Sequence, residues 1–117
     1  MKLTYEGADQ SANLEARVRD WAAELDTVYD RIDRCDVVVA ALPARQRVEK
    51  KYRVRLAIAV PGGEIVVSRD PGPGPGPDDP TSAVRDSFRA ARRRLQQYVW
   101  RNLGEDLGAP EKPVRSG

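Results

Sequence analysis

Nine consecutive residues, Tyr52 to Val60, alternate without a break between two kinds of side chain. Tyr52, Val54, Leu56, Ile58 and Val60 fall on one side of an extended chain, and Arg53, Arg55, Ala57 and Ala59 on the other. A period of two sustained over this length marks a strand with one face buried and the other open. Such a strand needs partner strands beside it and an apolar layer laid over one side only. The rest of the chain must supply both.

It does so in a readable order. Residues 2–6 alternate and predict a first strand, which Gly7 ends. Leu14, Val18, Trp21, Ala22, Leu25, Val28 and Tyr29 then recur at three- and four-residue spacing, so residues 11–29 predict an amphipathic helix with Ser11 as its N-cap. Residues 34–42, rich in β-branched side chains, predict a second strand stopped by Pro43. The polar, basic stretch 44–51 reads as a hairpin connection into the strand at 52–60. Pro61-Gly62-Gly63 is a turn, and residues 64–69 pair back as a fourth strand. Residues 70–79 are low-complexity Pro/Gly and form a spacer. A second helix is expected from Asp79 or Pro80 to about Leu103, with Ala83, Val84, Phe88, Ala91, Leu95, Tyr98 and Val99 as its buried stripe. The fold class is therefore α+β, a two-layer β-α-β-β-β-α arrangement. A right-handed crossover makes the first strand parallel to its neighbour, and both helices cover one face of a four-stranded mixed sheet. Residues 1–103 form the domain; residues 104–117 are expected to be a loose tail.

Several function classes are excluded by what is missing. The chain has no histidine, the commonest general base and metal ligand, and its single cysteine, Cys35, cannot build a zinc site or an internal disulfide. There is no Walker-type phosphate loop, and the prolines of 71–77 remove the backbone N–H groups a phosphate cradle needs. The expectation is a protein that is not an enzyme, takes no cofactor, binds no metal and has no small-molecule substrate. No apolar run reaches a membrane-spanning length of about 18 residues. Alternation starts at Lys2 with no signal-peptide core before it, and the lone cysteine suits a reducing compartment, so a cytoplasmic location is expected.

Charge supplies the positive argument. The formal net charge is +2, but residues 1–41 hold five basic side chains against nine acidic, while residues 42–69 hold seven against two. On the second helix Arg85, Arg89, Arg92 and Arg93 fall within an arc of about 100°, expected opposite the Val84/Phe88/Leu95 stripe, and Gln96 and Trp100 prolong it. Arginine favours bidentate phosphate contacts and stacking on bases, and an adjacent tryptophan offers a stacking platform. A second cluster comprises Arg45, Arg47, Lys50 and Lys51 on the hairpin, continued by Arg53 and Arg55 on the strand. The plain alternatives are a solvated helix face, a Trp100 packed on the tail or sheet edge, and a hairpin protected by its charges. On a two-layer fold the clusters lie on different sides. A flat duplex would meet only one of them, whereas a cleft walled by RNA would meet both.

The element order, together with Leu14-Glu15-Ala16-Arg17-Val18, Tyr29-Asp30-Arg31-Ile32, Pro61-Gly62-Gly63-Glu64-Ile65, Ala83-Val84-Arg85-Asp86-Ser87-Phe88 and Ala91-Arg92-Arg93-Arg94-Leu95, resembles the ribosome hibernation-promoting factor/ribosome-associated inhibitor (RaiA-type) family over residues 2–101. It resembles the short form, without a dimerisation domain. The resemblance implies a protein seated in the mRNA and tRNA channel of the small ribosomal subunit, touching ribosomal RNA, blocking translation and preserving idle ribosomes under stress. It implies Arg93 as the leading contact and a monomer off the ribosome. Trp21 and Glu24, and also Gln97 and Val99, stand where family members carry lysines, and Thr81 where a tyrosine is usual. Two rivals keep the same residues in other roles: a double-stranded RNA-binding module, and a protein-interaction adaptor anchored by Trp100 and Leu103.

Overall fold

The computed structural model describes residues 1–42, 51–70 and 80–106, with side chains described as far as Asn102. The elements run β1 (Lys2–Glu6), α1 (Ala12–Val28), β2 (Arg34–Leu42), β3 (Lys51–Val60), β4 (Gly63–Arg69) and α2 (Thr81–Asp106). The strands form one sheet in the order β1-β2-β3-β4, with β1 parallel to β2 and the other pairs antiparallel. This is the expected α+β fold, with the parallel pair that a β-α-β crossover requires.

Each boundary has a local cause. Ser11 caps α1: its backbone is extended (φ −133°, ψ 114°), the Leu14 N–H donates to its Oγ at 3.2 Å, and the Glu15 N–H donates to its carbonyl at 2.9 Å. The Tyr5 hydroxyl also donates to that carbonyl at 3.2 Å, tying the end of β1 to the helix start. Pro61 and Gly62 alone bridge β3 to β4, where Val60 faces Gly63. Gly62 takes a φ of +88°, the left-handed value that a Pro-Gly turn needs at its second position. Pro80 is not the first helical residue, as expected from sequence, but stands one step before it, its carbonyl accepting from the Val84 N–H at 2.9 Å. The helix also continues three residues past Leu103, to Asp106.

The core lies between the sheet and the two helices. Val37, Val39, Val54, Leu56 and Ile58 from the strands meet Leu14, Val18, Leu25, Val84, Phe88, Ala91 and Leu95 from the helices. Each fully buried aliphatic side chain of this kind contributes roughly 1.5–3 kcal/mol. Ser87 is the only buried polar residue among those described, and its hydroxyl donates to the Ala83 carbonyl one turn earlier at 2.8 Å. Two aromatic pairs clamp the helices together. Trp21 lies 5.8 Å from Phe88 at a 40° tilt, and Tyr29 meets Tyr98 edge-on, also at 5.8 Å. The helices thus share one face, and among the described residues no helix lies on the other side of the sheet. Among the described residues no helix is long and apolar enough to cross a membrane.

Candidate nucleic-acid interface

α2 presents three kinds of arginine: Arg92, Arg93 and Arg94 follow one another at steps of about 100° of helical rotation, and each faces a different way. Arg85, Arg89 and Arg92, together with Phe88, occupy positions i, i+4, i+7 and i+3, a stripe along one side of the helix. Trp21, Glu24 and Leu25 make the matching i, i+3, i+4 stripe on α1, and all seven residues line one groove between the helices. The arginine arc is therefore not opposite the buried stripe, as the sequence suggested. It is rotated toward α1, because Phe88 and Arg92 lie one turn apart on the same flank and the second helix packs there.

Arg93 points elsewhere. With Gln96, Gln97, Trp100 and Arg101 it lines a shallow hollow on the outer surface of α2. Trp100 is 82% exposed. The alternative that it packs on the sheet edge does not hold: at about 60° from Arg85 around the helix axis it projects away from both the sheet and α1, while the tail of that alternative lies outside the described residues. Arg94, the third residue of the arginine run, turns inward. Its Nη1 donates to the Val66 carbonyl of β4 at 2.5 Å, occupying an acceptor of the sheet's edge strand.

The uncovered sheet face holds the other described cluster. Register places Glu6, Ala40 and Arg53 in one row, Thr4, Val38, Arg55 and Ser68 in the next, and Lys2, Asp36, Ala57 and Val66 in a third. Lys51 opens β3 opposite Leu42. Arg53 is tied to Asp70, Nε to Oδ1, at 2.5 Å, and Arg34 to Asp36 at 3.2 Å. This face therefore mixes acids with its arginines. Arg45, Arg47 and Lys50 lie outside the described residues.

The helix face is different. Arg85 has a neighbouring carboxylate in Asp86, at 3.8 Å. Among the described residues no carboxylate comes within 4.0 Å of Arg89, Arg92 or Arg93. Guanidiniums left without internal partners present all their donors outward, in the planar fork that suits phosphate. Sequence reasoning missed Trp21 and Glu24 as parts of this surface. Both stripes were legible as i, i+3, i+4 spacings, but only helix pairing brings them to one groove.

Nothing described suggests reactive chemistry. Burial pushes the Cys35 thiol up to about 11, so at neutral pH it is a protonated, weakly nucleophilic group within the core. Among the described residues no three acids or cysteines converge on a point where a metal ion could sit.

No protein-family model matches the chain, and comparison with curated proteins finds no match in sequence. Solved structures do match. The N-terminal domain of Protein Y from Thermus thermophilus superposes with a TM-score of 0.60 at 18% identity, over 83% of this chain and 94% of that one. A ribosomal subunit interface protein from Coxiella burnetii gives 0.63 at 18% identity, over 84% of this chain and 97% of its own. Across nearly the whole length of these two proteins, one of them named for the ribosomal subunit interface, this chain has their fold.

Proposed function

We propose that this protein binds small-subunit ribosomal RNA in the mRNA/tRNA channel, inhibits translation there and preserves idle ribosomes under stress. The observation that carries the reading is the solvent-facing surface of α2, where Arg89, Arg92 and Arg93 have no carboxylate within 4.0 Å among the described residues and Trp100 is exposed. The fold shared with a ribosomal subunit interface protein supports it. The protein acts as a binding module in the cytoplasm, not as an enzyme. The RNA-binding domain is the β-α-β-β-β-α unit through the end of α2 at Asp106, three residues beyond the boundary expected at 103.

The physics of such a complex is charge and shape. Folded RNA presents phosphates on several walls of a channel, and a compact cationic domain displaces counterions from each wall it meets. Arg85, Arg89, Arg92, Arg93 and Trp100 meet one wall; Lys51, Arg53 and Arg55 on the open sheet, with Arg45, Arg47 and Lys50 of the connection, meet another. A domain filling that space excludes mRNA and tRNA by volume alone, with no base sequence to read. Off the ribosome the protein is a monomer.

Sedimentation through sucrose gradients with purified ribosomes tests this. The protein should travel with small subunits and whole ribosomes at low salt and leave them as salt rises, while binding naked duplex RNA far more weakly. A protein that stays at the top of the gradient at low salt refutes the proposal, and equal affinity for duplex RNA reassigns it to a duplex-binding module.

A further inference from the structure

The groove between α1 and α2 has a composition that a simple phosphate track does not need. Its volume is about 280 Å³. Leu25 and Phe88 are buried beneath it and offer little surface, so the apolar part of a mostly polar lining is the half-buried ring of Trp21, backed by Phe88. The rim is charged: Arg85, Arg89 and Arg92 from α2, and the exposed Glu24 from α1. Among the described residues Glu24 makes no ion pair with these arginines within 4.0 Å, although it lines the same hollow. A bare phosphate would satisfy the arginines and be repelled by Glu24. A ligand matched to the whole groove needs a flat apolar face, an anion and a pair of N–H donors.

We infer that this groove holds one unpaired guanine nucleotide, a deepening that rests on the RNA-binding reading above. The base lies against Trp21, as aromatic platforms hold unstacked bases. Its N1–H and N2–H donate to the two oxygens of Glu24, and its phosphate sits among the arginines. Guanine alone of the four bases offers two adjacent N–H donors on its Watson–Crick edge. Adenine and cytosine offer an amino group beside an acceptor, and uracil one N–H between two acceptors, so a carboxylate selects against all three. A groove of this size takes a single nucleotide and excludes a stacked or paired one, so single-stranded or looped RNA is the substrate.

Trp21 itself reports on the site. The chain has two tryptophans, and Trp100→Phe leaves Trp21 as the only one. Its fluorescence is titrated with the pentamers UUGUU, UUAUU and UUUUU, with GMP and AMP, and with inorganic phosphate. UUGUU should quench at concentrations about tenfold below UUAUU or UUUUU, the discrimination expected of one good bidentate base contact. Glu24→Gln, an exposed substitution that leaves the core intact, should bring the three pentamers within about twofold. Quenching by GMP but not by UUGUU would assign the groove to a free nucleotide and overturn the RNA assignment. Equal response to all pentamers, or no response to any, overturns the guanine site. If the protein still sediments with ribosomes in that case, the function stands and only the groove is misread; if it does not, both fall.

Discussion

Two surfaces of this domain carry arginines, and they are built differently. On the open sheet the basic residues are interleaved with acids by strand register: Arg53 is held by Asp70, and Asp36 sits two strands along from Val66 in a row that also holds Lys2. On α2, Arg89, Arg92 and Arg93 stand with no described carboxylate within 4.0 Å. A guanidinium already paired with a carboxylate must lose that contact or share it before it can serve phosphate, and its field is partly cancelled at a distance. Equal counts of arginine therefore do not give equal surfaces. The helix face should dominate RNA affinity, and the sheet face should orient the domain.

The largest effect tests that ranking directly. Arg89, Arg92 and Arg93 changed together to Glu should lower ribosome affinity by at least about 100-fold at low salt, because three phosphate contacts are replaced by three repulsions. Circular dichroism should be unchanged, since all three side chains are exposed. Co-sedimentation within about threefold of wild type would show that the helix face is not the contact. Next in size is Trp100→Ala, expected to weaken binding to single-stranded RNA about tenfold, the low to middle range for one stacked base, with little effect on duplex RNA. The double variant Arg53→Glu/Arg55→Glu should cost about three- to fivefold in the same gradients. A loss larger than that of the helix variant would invert the comparison.

Most of the fold was legible because periodicity is a short-range property. The alternation from Tyr52 to Val60 and the three- and four-residue spacing of Leu14, Val18, Trp21 and Leu25 each follow from one element's geometry. The end of α2 was placed near Leu103 because no apolar stripe continues past it, yet the helix runs on to Asp106. The candidate site was less legible, and for a different reason. Which flank of α2 meets α1 depends on how two helices lie together on a sheet, and no single stripe contains that information. Arg92, Arg93 and Arg94 are identical letters in a row. One borders the groove, one faces outward beside Trp100, and one reaches back to β4.

That row supplies the smallest expected effect and the sharpest separation. Arg94→Ala removes a charged donor from the Val66 carbonyl, an exposed contact that contributes about 1 kcal/mol or less. For a domain of this size that corresponds to a fall in Tm of a few degrees, about 4–8 °C at most, readable by differential scanning fluorimetry. Ribosome affinity should change by no more than about twofold, the residual effect of losing one charge at a distance. Arg93→Ala should do the reverse, leaving Tm unchanged and lowering affinity by about fivefold, the loss expected for one phosphate contact at low salt. Neighbouring arginines whose substitutions move two different readouts cannot both belong to a generic basic surface. If instead both variants weaken binding equally with no change in Tm, the Arg94 contact contributes nothing to the fold, and α2 presents charge without the division of labour its rotation implies.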